Sequence, residues 1–250
     1  MDKLLAALGF FTRIPFWRLR NIPAEAYRRV VDLWPVAGLL TGGVAALTLW
    51  GASYILPPLV AVIVAYGVRV LLTGALHEDG LADFIDGFGG GRDRQRILEI
   101  MKDSGIGSYG VIGLLFWFML TISCVASLPI HIAPLVVLAA DTWSKFCGSL
   151  LIDFLPYARK ESEAKNKLIY DRMGIGAFLL CLFVGFIPSL ALPPIYLLSL
   201  CLPLVLALVM IPYLRYKIGG YTGDCCGAAA MICEGAFILS ATIITTVICR

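Results

Sequence analysis

The chain has 250 residues, 60% of them hydrophobic and 15% charged, with a mean hydropathy of +0.88 and a formal net charge of +3. Soluble globular domains carry about 25% charged residues and about 45–50% apolar ones, so this composition excludes an ordinary soluble domain and points to an integral membrane protein. The small positive surplus gives no basis for a nucleic-acid partner, and the placement of the charges says more than their sum.

The opening MDKLLAALGFFTRIPFWRLR reads as an interfacial helix rather than a signal peptide. Asp2 interrupts the basic leading region, the apolar run is short and aromatic, and no small-residue cleavage site follows. Seven runs then approach the roughly 20 apolar residues that a spanning helix needs: about 33–56, 59–76, 109–128, 133–152, 175–192, 196–214 and 228–249. Pro57-Pro58, Pro129 and Pro193-Pro194 mark short hairpin turns between them, because proline does not continue a helix. Those turns hold no Lys, Arg, Asp or Glu, whereas the N-terminus and segments 77–108, 153–174 and 215–227 hold 17 of the 20 basic residues. The positive-inside rule therefore places the basic segments, and the N-terminus, in the cytoplasm. The expectation is a single polytopic domain over 1–250. It is an all-α integral membrane protein with about seven transmembrane helices and a cytoplasmic-face active site. No internal repeat stands out.

HEDGLADFIDG, the Gly-rich stretch, KDSGIGSYG, the YARKE segment and GGYTGDCCGA all fall on that one face, where they can meet at one site and carry the chemistry. HEDGLADFIDG continues the second span, so the sequence predicts one helix running through it. Asp79, Asp83 and Asp86 stand at i, i+4 and i+7, which puts three carboxylates on one helical face. Acidic charge at the end of a helix opposes the macrodipole and calls for another reason, and a divalent cation supplies one. Magnesium favours carboxylate and phosphate oxygens, so two aspartates and a diphosphate suffice. Gly87, Gly89, Gly90 and Gly91 precede Arg92 and Arg94, an arrangement suited to phosphate or to a simple flexible turn. In Lys102-Asp103-Ser104, Ser104 is placed to cap the next helix, and Asp103 is either a cap, a metal ligand or a base. Gly219-Gly220-Tyr221-Thr222-Gly223-Asp224 stands at the mouth of the last span, where Asp224 is either an N-cap or a ligand and Thr222 offers a hydroxyl. Arg69, Asp141, Lys145 and Glu234 lie inside spans, where charge is costly and normally paired. Asp141 and Lys145 are i, i+4 and can pair within one helix, while Arg69 is placed to reach a phosphate. The eight cysteines show no CxxC or Cys/His spacing and read as small buried hydrophobes.

Taken in order, HxDGLADxxDG, a glycine/arginine stretch, EIMKDSxIGxxG and GGxTGDxxGA resemble the cobalamin synthase family, the adenosylcobinamide-GDP ribazoletransferases. The resemblance includes FFTRIPF at the start and Glu234 in the final span. Glu78, Gly105 and Lys145 depart from that family's usual Leu, Arg and Arg; Lys145 keeps the charge without the bidentate fork. The resemblance implies attack of alpha-ribazole, or its 5'-phosphate, on the cobinamide-linked phosphorus of adenosylcobinamide-GDP. GMP leaves, and adenosylcobalamin or its 5'-phosphate forms at the inner membrane with Mg2+. On this reading Asp79, Asp83 and Asp224, with Asp86 as a further ligand, hold the metal. Asp103 or His77 accepts the ribazole proton. Arg92, Arg94, Lys102, Ser104, Gly220, Thr222 and Lys145 contact substrate or phosphate. The partners are those two substrates and the lipid bilayer, and a homo-oligomer is left open.

Two other readings compete. A CDP-alcohol phosphotransferase would run nearly the same chemistry, but its DGxxAR pattern is absent, since Asp83 and Phe84 stand where Ala and Arg are required. A transporter would use Asp141, Lys145 and Glu234 as a path, yet the acids gather at one face rather than at mid-membrane.

Overall fold

The computed structural model describes residues 1–159 and 169–248; Lys160-Glu161 and Cys249 lie outside that range. Its helices, in order, are α1 (Asp2–Phe11), α2 (Ala24–Tyr27), α3 (Trp34–Ala52), α4 (Pro58–Thr73), α5 (Leu76–Gly90), α6 (Arg94–Ile100), α7 (Ser108–Ala126), α8 (Ala133–Phe154), α9 (Ile175–Phe186), α10 (Cys201–Ile218) and α11 (Gly223–Ile248), with no strand among the described residues. The protein is an all-α multi-pass membrane protein.

Five helical stretches are long and apolar enough to cross a bilayer: Val30–Ala52, Ser108–Ala126, Ala133–Phe154, Pro194–Ile218 and Gly223–Val247. A sixth crossing is formed if Pro58–Thr73 and Leu76–Gly90 act together, and Ile175–Ala191 is a shorter apolar helix. Against the seven spans expected, the described residues thus show five to six of full length plus that shorter helix. Helix α8 is the hub, 89% buried over its span, and α3 and α11 lie along it. The outer faces of α4, α7, α9 and α10 expose Leu71, Phe116, Phe183 and Val209, a lipid-facing surface rather than a water-facing one.

One expectation about this region is corrected. The helix carrying the second span does not continue into HEDGLADFIDG. Gly74 (φ 67°) and Ala75 (φ 59°) are both left-handed, and the chain turns by 91° between α4 and α5. Gly74 takes that conformation at little cost, and a Cβ there would collide with the Arg13 guanidinium laid across the hinge. The Arg13 N–H donates to Leu72 O at 2.7 Å, so the N-terminal segment clasps the bend. Glu78 and Asp79 therefore stand in the first turn of α5, where the macrodipole favours acidic charge. The dipole supplies a reason for these acids, which the sequence had read as standing at a helix end that opposes them.

Two apolar clusters stack along the bundle. One fills the middle with residues of α3, α4, α7, α8 and α11. The other gathers α1, α6, the ends of α8 and α10, and the start of α11 around Phe11, Trp34, Leu151, Ile218 and Tyr221. That second end holds the polar segments. All seven cysteines among the described residues are free thiols, six buried and Cys201 exposed.

Candidate active site

Helices α5 and α11 meet through glycine. A Cβ on Gly80 would stand 3.2 Å from Asp224 O, 3.3 Å from Asp224 Cα and 3.4 Å from Gly227 Cα, so the two backbones touch as closely as they do because Gly80 has no side chain. This contact brings Asp79 beside Asp224. Both line one cavity of about 170 Å3, together with His77, Arg159, Tyr157 and Tyr170. Of the five polar segments expected to meet, the start of HEDGLADFIDG, Tyr157 and Arg159 of YARKE and the start of α11 close around a single space with the end of α1 and the start of α3, whereas the Gly-rich stretch and KDSGIGSYG do not line it.

The start of α11 is held by the one bridge-like pairing among the described residues. Tyr221 N–H donates to Pro156 O at 2.9 Å, and Ala158 N–H donates to Tyr221 O at 2.8 Å. Thr222 is fully buried and its hydroxyl accepts from Cys225 N–H at 3.3 Å, so it caps α11. Thr222 and Gly220 thus place Asp224 without lining the cavity. Asp224 follows them into the first turn of α11, half-buried at the cavity wall. Burial pushes the phenols of Tyr157 and Tyr170 above the usual tyrosine range, so both are neutral hydrogen-bonding groups here.

Several sequence-predicted residues go elsewhere. Asp86 accepts from Gly107 N–H at 2.7 Å and from Gly110 N–H at 2.8 Å. It is the cap of α7, satisfying amides that a helix start leaves open, rather than a member of the cavity. Ser104 does not cap that helix; it is exposed, and α7 begins after Gly107. Asp103 is exposed, takes Gly105 N–H at 3.1 Å in a local turn and lines a separate open cavity with Asp86, Arg96 and Glu99. It does not line the cavity that His77, Asp79 and Asp224 share. Arg94 donates to Ile218 O at 2.8 Å and Ala158 O at 2.7 Å, tying α6 to the loops that carry Tyr221 and Arg159. Arg92 and Lys102 are exposed and away from the cavity. Asp83, one turn after Asp79, is buried.

Beneath the cavity lies a buried charge network. Lys145 donates to Asp141 Oδ1 at 2.6 Å, as the i, i+4 spacing predicts. Thr41 donates to Asp141 Oδ2 at 2.5 Å. Arg69 pairs with Glu234, with Asp141 at 3.5 Å and with Glu78 at 3.9 Å, and its guanidinium lies 4.7 Å from the Tyr66 ring centroid. Arg69 and Lys145 therefore neutralise acids inside the bundle, and neither lines the α5–α11 cavity. His77 lines both this network and the cavity above it.

Tyr157 and Arg159 belong to the YARKE segment expected at this face and Phe11 to FFTRIPF, whereas Tyr170 and Trp34 carry no motif that marks them in the sequence. Arg159 is the guanidinium that lines the cavity, and it donates to Leu98 O at 2.9 Å. Among the described residues, no three His, Cys, Asp or Glu side chains gather at metal-binding spacing. The cavity's acids are two oxygen-donor carboxylates, which suit a hard cation whose remaining sites are filled by phosphate and water.

Comparison with known proteins gives a consistent answer. The family model for cobalamin-5-phosphate synthase matches residues 3–242. Adenosylcobinamide-GDP ribazoletransferases of Shewanella putrefaciens and Shewanella baltica are each 36% identical over 238 residues, covering 94% of this chain and 91% of the relative. That of Shewanella oneidensis is 35% identical over the same coverage. No solved structure matches. With the match running through α1, the hinge, the cavity and α11, the chain belongs to the cobalamin-5-phosphate synthase family.

Proposed function

We propose that the cavity between α5 and α11 is where this chain joins alpha-ribazole, or its 5'-phosphate, to adenosylcobinamide-GDP and releases GMP. The observation that carries this reading is the meeting of Asp79, Asp224, His77 and Arg159, from distant parts of the chain, around one cavity. Asp79 and Asp224 are the carboxylates that would hold Mg2+ against the diphosphate, with Asp83 one turn behind Asp79 on the same helical face. Bound there, Mg2+ would supply charge neutralisation for the diphosphate. Arg159 binds a phosphate oxygen through its fork. His77 stands two residues from Asp79 and takes the proton of the ribazole hydroxyl as its oxygen bonds to the cobinamide-linked phosphorus. The bond to the GMP oxygen breaks in the same displacement, and GMP leaves with that electron pair. Tyr157 and Tyr170, held neutral, donate hydrogen bonds and do not act as bases.

The basic segments flank this end of the bundle, so the positive-inside rule puts the site on the cytoplasmic side of the inner membrane. Purified protein given both substrates should release GMP with Mg2+ and stop on chelation. Asp79→Asn and Asp224→Asn should each lower that rate by at least about a hundredfold. Metal-independent GMP release, or near-normal rates in both variants, would remove this reading.

A further inference from the structure

The break between α4 and α5 does not hold itself. α5 begins without a side-chain cap, and its N-cap position is Ala75, at φ 59°. Left-handed backbone is costly for a residue with a Cβ and persists only where the surroundings enforce it. Val70 O accepts from Gly74 N–H at 2.8 Å and from Ala75 N–H at 3.1 Å, which closes the end of α4 without fixing the direction of α5. α4 also has no basic residue in its last turn to meet the negative end of its dipole. The FFTRIPF segment, residues 10–16, supplies what is missing. Thr12 is buried, donates to Leu8 O at 2.6 Å and accepts from Ile14 N–H at 3.3 Å, so the chain leaves α1 in a fixed direction. Phe16 folds back on α1, its Cβ 3.7 Å from the place of a Cβ on Gly9. Between these anchors Arg13 N–H takes Leu72 O at 2.7 Å, a carbonyl in the last turn of α4 where the helix offers no partner of its own. The Arg13 side chain lies along Gly74, with Nε, Cζ and Cδ all crowding the place of a Cβ there. Its positive charge thus stands at the C-terminal end of α4, where the dipole favours it.

We propose that Arg13 is a positioning residue: braced against the α4–α5 hinge, it aims the first turn of α5 and so holds Asp79 opposite Asp224. Asp79 N–H donates to Ala75 O at 2.9 Å, so the left-handed residue sets the turn that brings Asp79 to the cavity. Arg13 itself does not line that cavity and acts only through the hinge. Without its side chain, Ala75 loses part of what enforces its conformation. The 91° bend then opens to a range of angles, and Asp79 spends less time at the distance a shared cation requires. The consequence for turnover rests on the ribazoletransferase reading, whereas the consequence for the bend stands on the hinge geometry alone.

The test uses purified full-length protein in lipid nanodiscs. Arg13→Ala should lower kcat for GMP release about tenfold and raise the Mg2+ concentration for half-maximal rate about fivefold, with KM for adenosylcobinamide-GDP unchanged. Arg13→Lys keeps a cation at the end of α4 and should recover most of the loss. Ala75→Gly added to Arg13→Ala should also recover the rate, because glycine takes left-handed backbone without support. A folding defect alone would lower the yield of active protein and leave the Mg2+ requirement and the Ala75→Gly rescue unmoved. The bend is read without turnover by the distance between spin labels at Val64→Cys on α4 and Arg92→Cys after α5, in a Cys201→Ser, Cys249→Ser background. Arg13→Ala should broaden that distance distribution, and Arg13→Lys should keep it narrow. An unchanged distribution in Arg13→Ala would overturn the proposal. So would a raised KM for adenosylcobinamide-GDP with an unchanged Mg2+ requirement, which would make Arg13 a substrate contact. A broadened distribution with no GMP release from the wild type would uphold the hinge role and refute only the transferase reading.

Discussion

Gly80→Ala separates stability from catalysis in this fold. The added Cβ would meet three backbone atoms of α11 at 3.2, 3.3 and 3.4 Å. Backbone cannot swing aside as a side-chain tip can, so α5 must draw back by a few tenths of an ångström. Two terms then oppose each other in stability. Alanine in a helix interior gains about 1 kcal/mol over glycine, and the tight contact costs about 1–3 kcal/mol. The net change is small, a few degrees in Tm at most. Catalysis has no such offset, because the same retreat moves Asp79 relative to Asp224. A misplacement of about 1 Å costs on the order of a hundredfold, so a few tenths should lower kcat for GMP release on the order of tenfold. Gly67→Ala is the control: it is exposed on α4 with nothing within 4 Å of the new Cβ, so it should keep the wild-type rate and gain up to about 1 kcal/mol. The assay is GMP release alongside thermal unfolding in one detergent. A wild-type kcat for Gly80→Ala, or an equal loss in Gly67→Ala, would refute the argument that this contact sets the site.

Other outcomes follow from the same geometry. Arg69→Leu leaves Asp141, Glu234 and Glu78 without their shared counter-charge and should destabilise the protein by about 3–5 kcal/mol, read as a large fall in Tm. Asp86→Ala removes two bonds at the start of α7 and should cost about 1–3 kcal/mol, while KM for both substrates stays within about twofold of wild type. Tyr170 has a phenol pKa raised by burial, so folded and unfolded chains are both neutral there below about pH 10 and only the unfolded chain ionises just above it. Its contribution to stability is therefore flat from pH 7 to 9 and falls above about pH 10, and Tyr170→Phe should lessen that alkaline fall. Single cysteines introduced at Arg92 and Gly223 should be labelled from the same side of the membrane, and opposite labelling would break the proposed site.

What the sequence made legible was periodicity and sidedness. Long apolar runs gave α3, α7, α8, α10 and α11, and the i, i+4 spacing gave the Asp141–Lys145 pair. Charge-free proline turns alternating with basic segments foretold that His77, Asp79 and Asp224 would share one end. The hinge was hidden because Leu71-Leu72-Thr73-Gly74-Ala75-Leu76 keeps its apolar pattern straight through the bend; only Gly74 hints at it, and Ala75 conceals it. The role of Asp86 was illegible for a different reason. Helical spacing puts it near the face of Asp79 and Asp83, but the open amides of α7 come from a helix more than 15 residues later and claim it. Arg94 reads in the sequence as a phosphate ligand, and its bonds to two backbone carbonyls could not be foreseen, since such partners have no side-chain signature. The cavity draws on α1, α3 and α5, a meeting that no single motif records.

The most direct measurement is a double-mutant cycle on GMP release with Asp79→Asn, Asp224→Asn and the pair, at saturating Mg2+. If both carboxylates serve one cation and one diphosphate, the second substitution should add little to the first, and the pair should fall well short of the product of the single effects. Rate losses that multiply would contradict a shared centre and assign the two aspartates to independent tasks.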